Sequence, residues 1–203
     1  MMRYFVTAIG TDSGKTVVSA ILSEALKADY WKPIQAGFPR DIETVQHLIS
    51  NSQSSFHPET YLLNTACSPH AAAKIDNVEI SLGKIVVPKT DNHLIIEGAG
   101  GLLVPLNDND FVIDLAQKLS YEIILVSNLY LGSINHTLLS CEALKAREIK
   151  VKGIIFNGPE NKASELIILK TTGYPLLMNI PHLDSINQSV VNNLSDQIRS
   201  KVE

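Results

Sequence analysis

Cysteine is scarce in this sequence. Only Cys67 and Cys141 occur in 203 residues, with no C-x-x-C spacing, which excludes a disulfide framework and a thiolate zinc cluster and fits a reducing compartment. A long hydrophobic run is also missing: none approaches the roughly 20 residues of a membrane span. No basic segment followed by an apolar stretch opens the sequence, so the expected location is cytoplasmic, with no membrane partner. Seventeen basic residues stand against 21 acidic ones. Without a basic excess or stripe, nucleic acid is not an expected partner. Single-charge blocks, Pro/Ser-rich tracts and internal repeats are absent too. With 45% hydrophobic and 19% charged residues, the composition is that of one globular domain over 1–203, long enough to bury a core.

Short apolar runs alternate with amphipathic stretches. The runs are Tyr4 to Ile9, Tyr30 to Ile34, Leu94 to Ile96, Ile123 to Val126, Val151 to Phe156 and Pro175 to Ile180. Their continuous apolar character is that of strands buried on both faces. Helical patterns fall at Val17 to Lys27, Asp41 to Ile49, Phe111 to Leu119, Ile134 to Arg147, Ala163 to Thr171 and Ser189 to Val202. This rhythm predicts an α/β fold: a doubly wound, mostly parallel sheet with P-loop NTPase-like architecture. Polar residues stand where several runs end: Lys32, Glu97, Ser127 with Asn128, Asn157 and Asn179. In open parallel sheets ligands bind outside the carboxyl ends of the strands.

The first run leads into Ala8-Ile9-Gly10-Thr11-Asp12-Ser13-Gly14-Lys15-Thr16 and then straight into a helical pattern. Strand, small-residue loop and helix N-terminus are the setting of a phosphate-binding loop, whose backbone N–H groups face phosphate oxygens. Lys15 would supply a cation to the outer phosphates, and the Thr16 hydroxyl can ligate Mg²⁺. The common G-x-x-x-x-G-K-[ST] pattern would place glycine where Ile9 stands, so Ala8 or Gly10 must serve as the small residue. Asp12 beside phosphates is repelled unless it faces water or meets a metal or an amine.

Other segments carry polar groups at strand ends. Lys32, within Trp31-Lys32-Pro33-Ile34-Gln35-Ala36-Gly37, can oppose developing negative charge. Asp41 opens a helix and is either a first-turn carboxylate or a metal ligand. Glu97, in Ile95-Ile96-Glu97-Gly98-Ala99-Gly100-Gly101, stands at a strand tip in the position of a Walker-B-type acid. The glycines after it allow close backbone approach to a ligand. His70 of Ser68-Pro69-His70 reads as structural. Gly132-Ser133-Ile134-Asn135-His136 reads as a helix start with Ser133 as N-cap, a place that can also hold a carboxylate. Asn157-Gly158 can read a base edge or simply turn the chain.

The order and spacing of these segments over nearly the whole chain resemble the dethiobiotin synthetase family, ATP-dependent ligases of biotin biosynthesis. Tyr4-Phe5-Val6-Thr7, Gly14-Lys15-Thr16, Lys32-Pro33-Ile34-Gln35, Ser68-Pro69-His70, Glu97 to Gly101 and Gly132 to His136 carry the likeness. It implies that 7,8-diaminopelargonate takes up CO₂ (or bicarbonate) as a carbamate. ATP phosphorylates the carbamate to a carbamic-phosphoric anhydride, and the second amine closes the ureido ring, giving dethiobiotin, ADP and phosphate. The resemblance further implies ATP contacts from Asp12, Ser13, Gly14, Lys15, Thr16 and Val17, and from Gly98, Ala99 and Gly100. Mg²⁺ would be held by Thr16, Asp41 and Glu97, with Lys32 and Lys15 catalytic. Adenine would lie near Asn157, Gly158 and Pro181-His182-Leu183. The substrate would meet Lys32 and Ala36 and, across a homodimer interface, Gly132, Ser133 and Asn135. Three positions depart from the family pattern: Ala8 for a glycine, Asp12 for a glutamate and Ala36 for a serine or threonine.

A ParA/MinD-like switch ATPase is the alternative. Its loop carries an early lysine where this chain has Gly10, and its membrane-acting members end in a basic amphipathic helix. Here Asp196, Arg199, Lys201 and Glu203 nearly balance. A carboxylate-activating amidotransferase synthetase would need a glutaminase domain for which 203 residues leave no room. A relative that has lost turnover is hinted at only by Ala8 and Ala36.

Overall fold

The structure, a computed structural model, describes all residues from Met1 to Glu203. In chain order the elements are β1 (Arg3–Ala8), α1 (Lys15–Leu26), β2 (Asp29–Trp31), β3 (Ile34–Ala36), α2 (Asp41–Leu48), β4 (Phe56–His57), β5 (Tyr61–Leu63) and α3 (Pro69–Ile75). Then come β6 (Leu94–Gly101), α4 (Val112–Leu119), β7 (Glu122–Asn128), α5 (Ser133–Ala146), β8 (Val151–Asn157), α6 (Lys162–Thr172), β9 (Leu176–Ile180) and α7 (Gln188–Val202). Seven strands form one sheet in the order β4-β2-β6-β1-β7-β8-β9, and every pairing in it is parallel.

The period of two along each strand sorts the core into two layers. Tyr4, Val6, Tyr30, Ile95, Ile124 and Ile155 face one side, where α1, α2 and α7 cover them. Phe5, Trp31, Ile96, Leu125 and Phe156 face the other, beneath α3 to α6. Both faces being buried explains why these strands read as unbroken apolar runs. Helix ends follow local chemistry. The Asn161 and Asn187 side chains accept from Ser164 N and Val190 N at the starts of α6 and α7, and Gly173 ends α6 at φ 71°.

Four expectations need correction. Tyr30 to Ile34 is not one strand. β2 stops at Trp31, and β3 pairs with β5 in a separate two-stranded sheet. Pro33 has no N–H to give to the ladder, and its carbonyl instead accepts Thr60 N and Tyr61 N at 2.9 and 3.0 Å. Glu97 is not at a strand tip, because β6 runs on to Gly101 and pairs Glu97 with Val6 and Gly101 with Ala8. Ser133 is the first helical residue rather than the cap. Gly132, at φ 102°, is the N-cap of α5, and Ser133 Oγ is buried without a partner. Asn179 lies within β9, one residue short of its end, and its amide donates to Glu165 at 3.0 Å. The short elements β4, β5 and α3 had no clear counterpart in the apolar pattern.

The chain leaves β1 toward β2 on one side, returns in β6 beside β1, and continues through β7 on the other side. The loop after β1 therefore lies at the topological switch point, where open α/β sheets bind ligands.

Candidate active site

The switch-point loop is shaped by its own residues. Asp12 and Gly14 adopt positive φ of 55° and 93°, which turns successive N–H groups inward. From Gly10 to Val17 no backbone N–H donates to a protein acceptor, and the first α1 bond is Val18 N to Gly14 O. This is a run of donors at a helix N-terminus, the chemistry of an anion cradle. Lys15 Nζ donates to Gly10 O at 3.1 Å. The buried Ser13 hydroxyl donates to the same carbonyl at 3.1 Å. Asn157 Nδ2 bonds Ser13 O at 2.9 Å and lies against Gly14, where a Cβ would come within 2.3 Å of it.

Lys32 leaves the sheet where β2 and β3 separate, and its ammonium bridges Asp41 and Glu97 Oε1, the latter at 3.2 Å. Thr16 Oγ1 donates to Glu97 Oε1 at 3.0 Å, and the Tyr30 hydroxyl donates to Oε2 at 3.0 Å. Asp41 is set at the first turn of α2 by Gln35, whose Oε1 accepts Asp41 N at 3.2 Å while its Nε2 donates to Gly37 O at 3.0 Å. Arg40 pairs with the buried Glu59 side chain at 3.4 Å and with Glu43 at the same distance.

The charges are strongly interdependent. Burial alone would raise the pKa of Glu97, but Lys32 and Lys15 outweigh it and hold the carboxyl below its ordinary value. For Asp41, burial together with the negative Glu97 wins over Lys32 and raises the pKa. Burial would lower Lys32, yet Glu97 and Asp41 keep it above the usual lysine value. Burial dominates at Lys15 and depresses its pKa in spite of Glu97. Two cations and two carboxylates thus neutralise one another in a desolvated setting, where each is costly alone.

These groups open into a cleft of about 780 Å³, within the range of small-molecule sites. Thr11, Asp12, Gly14 to Val17, Lys32, Asp41, Glu97, Ala99 and Gly100 all line it, as do Ala36 and Ser68-Pro69. Asp12 is exposed there. Gln35 to Pro39 and Ala66-Cys67 supply further wall. Among these, Phe38, Pro39, Ala66 and Cys67 had no motif to announce them; Tyr30, outside the lining but bonded to Glu97, was hidden inside an apolar run. Thr16 Oγ1 and the Asp41 and Glu97 carboxylates form a hard oxygen donor set, the kind Mg²⁺ takes.

Other candidates lie apart from the cleft. Gly158 N donates to Ile180 O at 2.9 Å, which places Asn157-Gly158 beside Pro181-His182-Leu183 at the ends of β8 and β9. Gly132, Ser133 and Asn135 sit at the start of α5 and do not line the cleft of their own chain. His70 is exposed and also outside it.

A family model described as an AAA domain matches residues 2–190. The chain is 58% identical to the ATP-dependent dethiobiotin synthetase BioD of Cytophaga hutchinsonii over 94% of both proteins. It is 49% identical to that of Christiangramia forsetii over 98% of this chain and 97% of the relative. Among solved structures it superposes on a ParA family ATPase from Chlorobium tepidum (TM-score 0.63, 13% identity, 99% of this chain and 96% of that one). The cell division ATPase MinD of Pyrococcus furiosus gives TM-score 0.58 at 17% identity, over 98% and 99%. At such identities the two ATPases share the fold and nothing more is inferred from them.

Proposed function

The chain belongs to the dethiobiotin synthetase family, and from that membership we propose that it converts 7,8-diaminopelargonate, CO₂ and ATP to dethiobiotin, ADP and phosphate. The observation that carries this reading is the convergence of Lys15, Thr16, Lys32, Asp41 and Glu97 on one cleft at the switch point. Phosphoryl transfer asks mainly for positioning and charge neutralisation, and this cluster supplies both without an activated nucleophile.

In this reading the N–H groups from Gly10 to Val17 cradle the phosphates, and Lys15 turns from Gly10 O to the outer ones. Thr16, Asp41 and Glu97 are the oxygen donors for Mg²⁺. Bound there, the ion would neutralise phosphate charge. Lys32, already held at the mouth of the acid pair, opposes the negative charge of the carbamate and of the γ-phosphoryl group it attacks. The carbamate oxygen bonds to γ-phosphorus as the bond to ADP breaks. The second amine then attacks the carbamoyl carbon, phosphate leaves with the anhydride oxygen, and the ring closes. Asn157, Gly158 and Pro181 to Leu183 frame the adenine, and Ala36 meets the substrate.

The start of α5 is read as a contributor to a second subunit's site. Leu131, Leu103, Leu139 and Tyr130 are all well exposed. Leu103, His136 and Leu139 line one shallow depression, and Tyr130, next to Leu131 in the chain, bonds His136 at 2.6 Å. This exposed apolar surface supports a homodimer with Gly132, Ser133 and Asn135 at the start of α5 facing the partner's substrate.

The test is product formation with ATP, Mg²⁺, bicarbonate and the diamine. Dethiobiotin and phosphate should appear together, need the diamine, and fall by about a hundredfold or more in Lys15→Ala and Lys32→Ala. ATP hydrolysis that ignores the diamine and yields no dethiobiotin would reject the ligase reading in favour of a switch ATPase.

A further inference from the structure

Tyr30 does not line the cleft, yet it touches the acid at its floor. It is the middle residue of β2 and has no solvent exposure. In register it stands opposite Ile95. Glu97 is two residues further along β6 and shares that face of the sheet, so it is the diagonal neighbour of Tyr30, within reach of an aromatic side chain. The phenol oxygen meets Glu97 Oε2 at 3.0 Å. Phe56 of β4 packs on the ring, with centroids 6.4 Å apart and planes tilted by 52°. Ile42 and Val45 of α2 belong to the same core layer. The ring is therefore fixed by packing from the neighbouring strand and from the core.

The two oxygens of Glu97 are divided by their donors. Oε1 receives Thr16 at 3.0 Å and Lys32 at 3.2 Å, while Oε2 receives Tyr30. We infer that Tyr30 is a positioning residue: its hydroxyl fixes the carboxylate plane of Glu97 so that Oε1 is presented to the Thr16 side of the cleft. The inference rests on the metal-donor role proposed above for Glu97. Groups that orient a metal ligand through its second oxygen are part of the ligand's affinity. The competing account is that the hydroxyl merely satisfies a buried polar group.

Tyr30→Phe separates the two, because it keeps the ring and its packing and removes only the donor. ADP binding to the full chain is measured by calorimetry with and without Mg²⁺, for the parent, Y30F, E97Q and the double variant. Melting curves on the same samples verify that each is folded. The metal should tighten ADP binding to the parent, and Y30F should shrink that tightening by about tenfold while leaving metal-free ADP affinity unchanged. In the E97Q background Y30F should add nothing. The inference is overturned if Y30F keeps the parent's metal enhancement, if it weakens metal-free and metal-bound ADP equally, or if its effect persists with Gln at position 97. A parent whose ADP affinity ignores Mg²⁺ would overturn the metal reading itself, and that result is visible without any variant.

Discussion

At Gly14 two constraints coincide. Its φ of 93° lies in the region L side chains avoid, and an added Cβ would meet Asn157 Nδ2 at 2.3 Å. Gly14→Ala therefore pays for strain and displaces the amide that bonds Ser13 O. The expected cost is about 1–3 kcal/mol of stability, seen in urea denaturation, together with weaker binding of a fluorescent nucleotide. Removing the clash with Asn157→Ala in the same chain should recover the part of the stability lost to the clash but not the part lost to strain, and should not restore the affinity, since Asn157 is also read as an adenine contact. Unchanged affinity in G14A would mean that the loop does not hold nucleotide in this geometry. Gly14, Lys15, Thr16 and Glu97 were legible in the sequence because their chemistry is tied to a local motif. Lys32 was legible because a lysine within an apolar segment is costly unless paired. Tyr30, Gln35 and the Arg40–Glu59 pair were not, since each acquires its role from residues that only the sheet and the loop packing bring near.

Among the elements, the long helices and strands match the apolar pattern to within a residue or two, because both faces of the sheet are buried and the strand runs stay apolar; β6 is the exception, continuing past Ile96 through Glu97 and the glycines to Gly101. The failures are short or polar elements. β4 has two residues and β5 three, too few to show a period. The Tyr30 to Ile34 run conceals a break whose cause, Pro33, was present in the sequence but whose consequence, a second sheet, depends on β5. The β2–β4 edge is instead secured by Asp29. Its Oδ1 accepts Ser55 N at 2.8 Å and Asn92 Nδ2 at 3.0 Å, and its Oδ2 accepts Thr90 Oγ1 at 2.7 Å with His57 Nε2 at 3.0 Å. Burial would raise this carboxyl's pKa, but those hydrogen bonds outweigh it and set the pKa below the ordinary 3.8. The folded state then binds the proton less tightly than the unfolded one. Its stabilisation is complete above pH 3.8 and is lost as pH falls through the lower folded value. Asp29→Asn should cost about 1–3 kcal/mol near neutral pH, and the gap to the parent should narrow as the carboxyl protonates. A series of denaturation curves against pH reads this directly, and a gap that stays constant would assign the loss to something other than the charge.

For the whole molecule, the sheet order places the loop after β1 at the switch point, but the fold is silent about what receives the phosphoryl group. In the proposed reading that information lies in Lys32, Asp41 and the start of α5, and the last of these is outside the cleft of its own chain. If the proposed homodimer completes each site with the partner's Gly132 to Asn135 turn, two different defects can be separated by symmetry. Lys32→Ala damages the site of the chain that carries it, and Asn135→Ala damages the site across the interface. In a mixed dimer both lesions fall in one site and leave the other intact. Each variant alone should be nearly inactive. An equimolar mixture allowed to exchange subunits should regain about one quarter of the parental rate, since about half the dimers are mixed and half of their sites are whole. Leu131→Glu, placed in the exposed apolar patch, should abolish that recovery and give a monomer on sedimentation. A mixture that stays as inactive as its components, with the dimer intact, would instead put Asn135 in the same subunit's site as Lys32, whereas an Asn135→Ala chain that is active by itself would leave the start of α5 without a part in the chemistry.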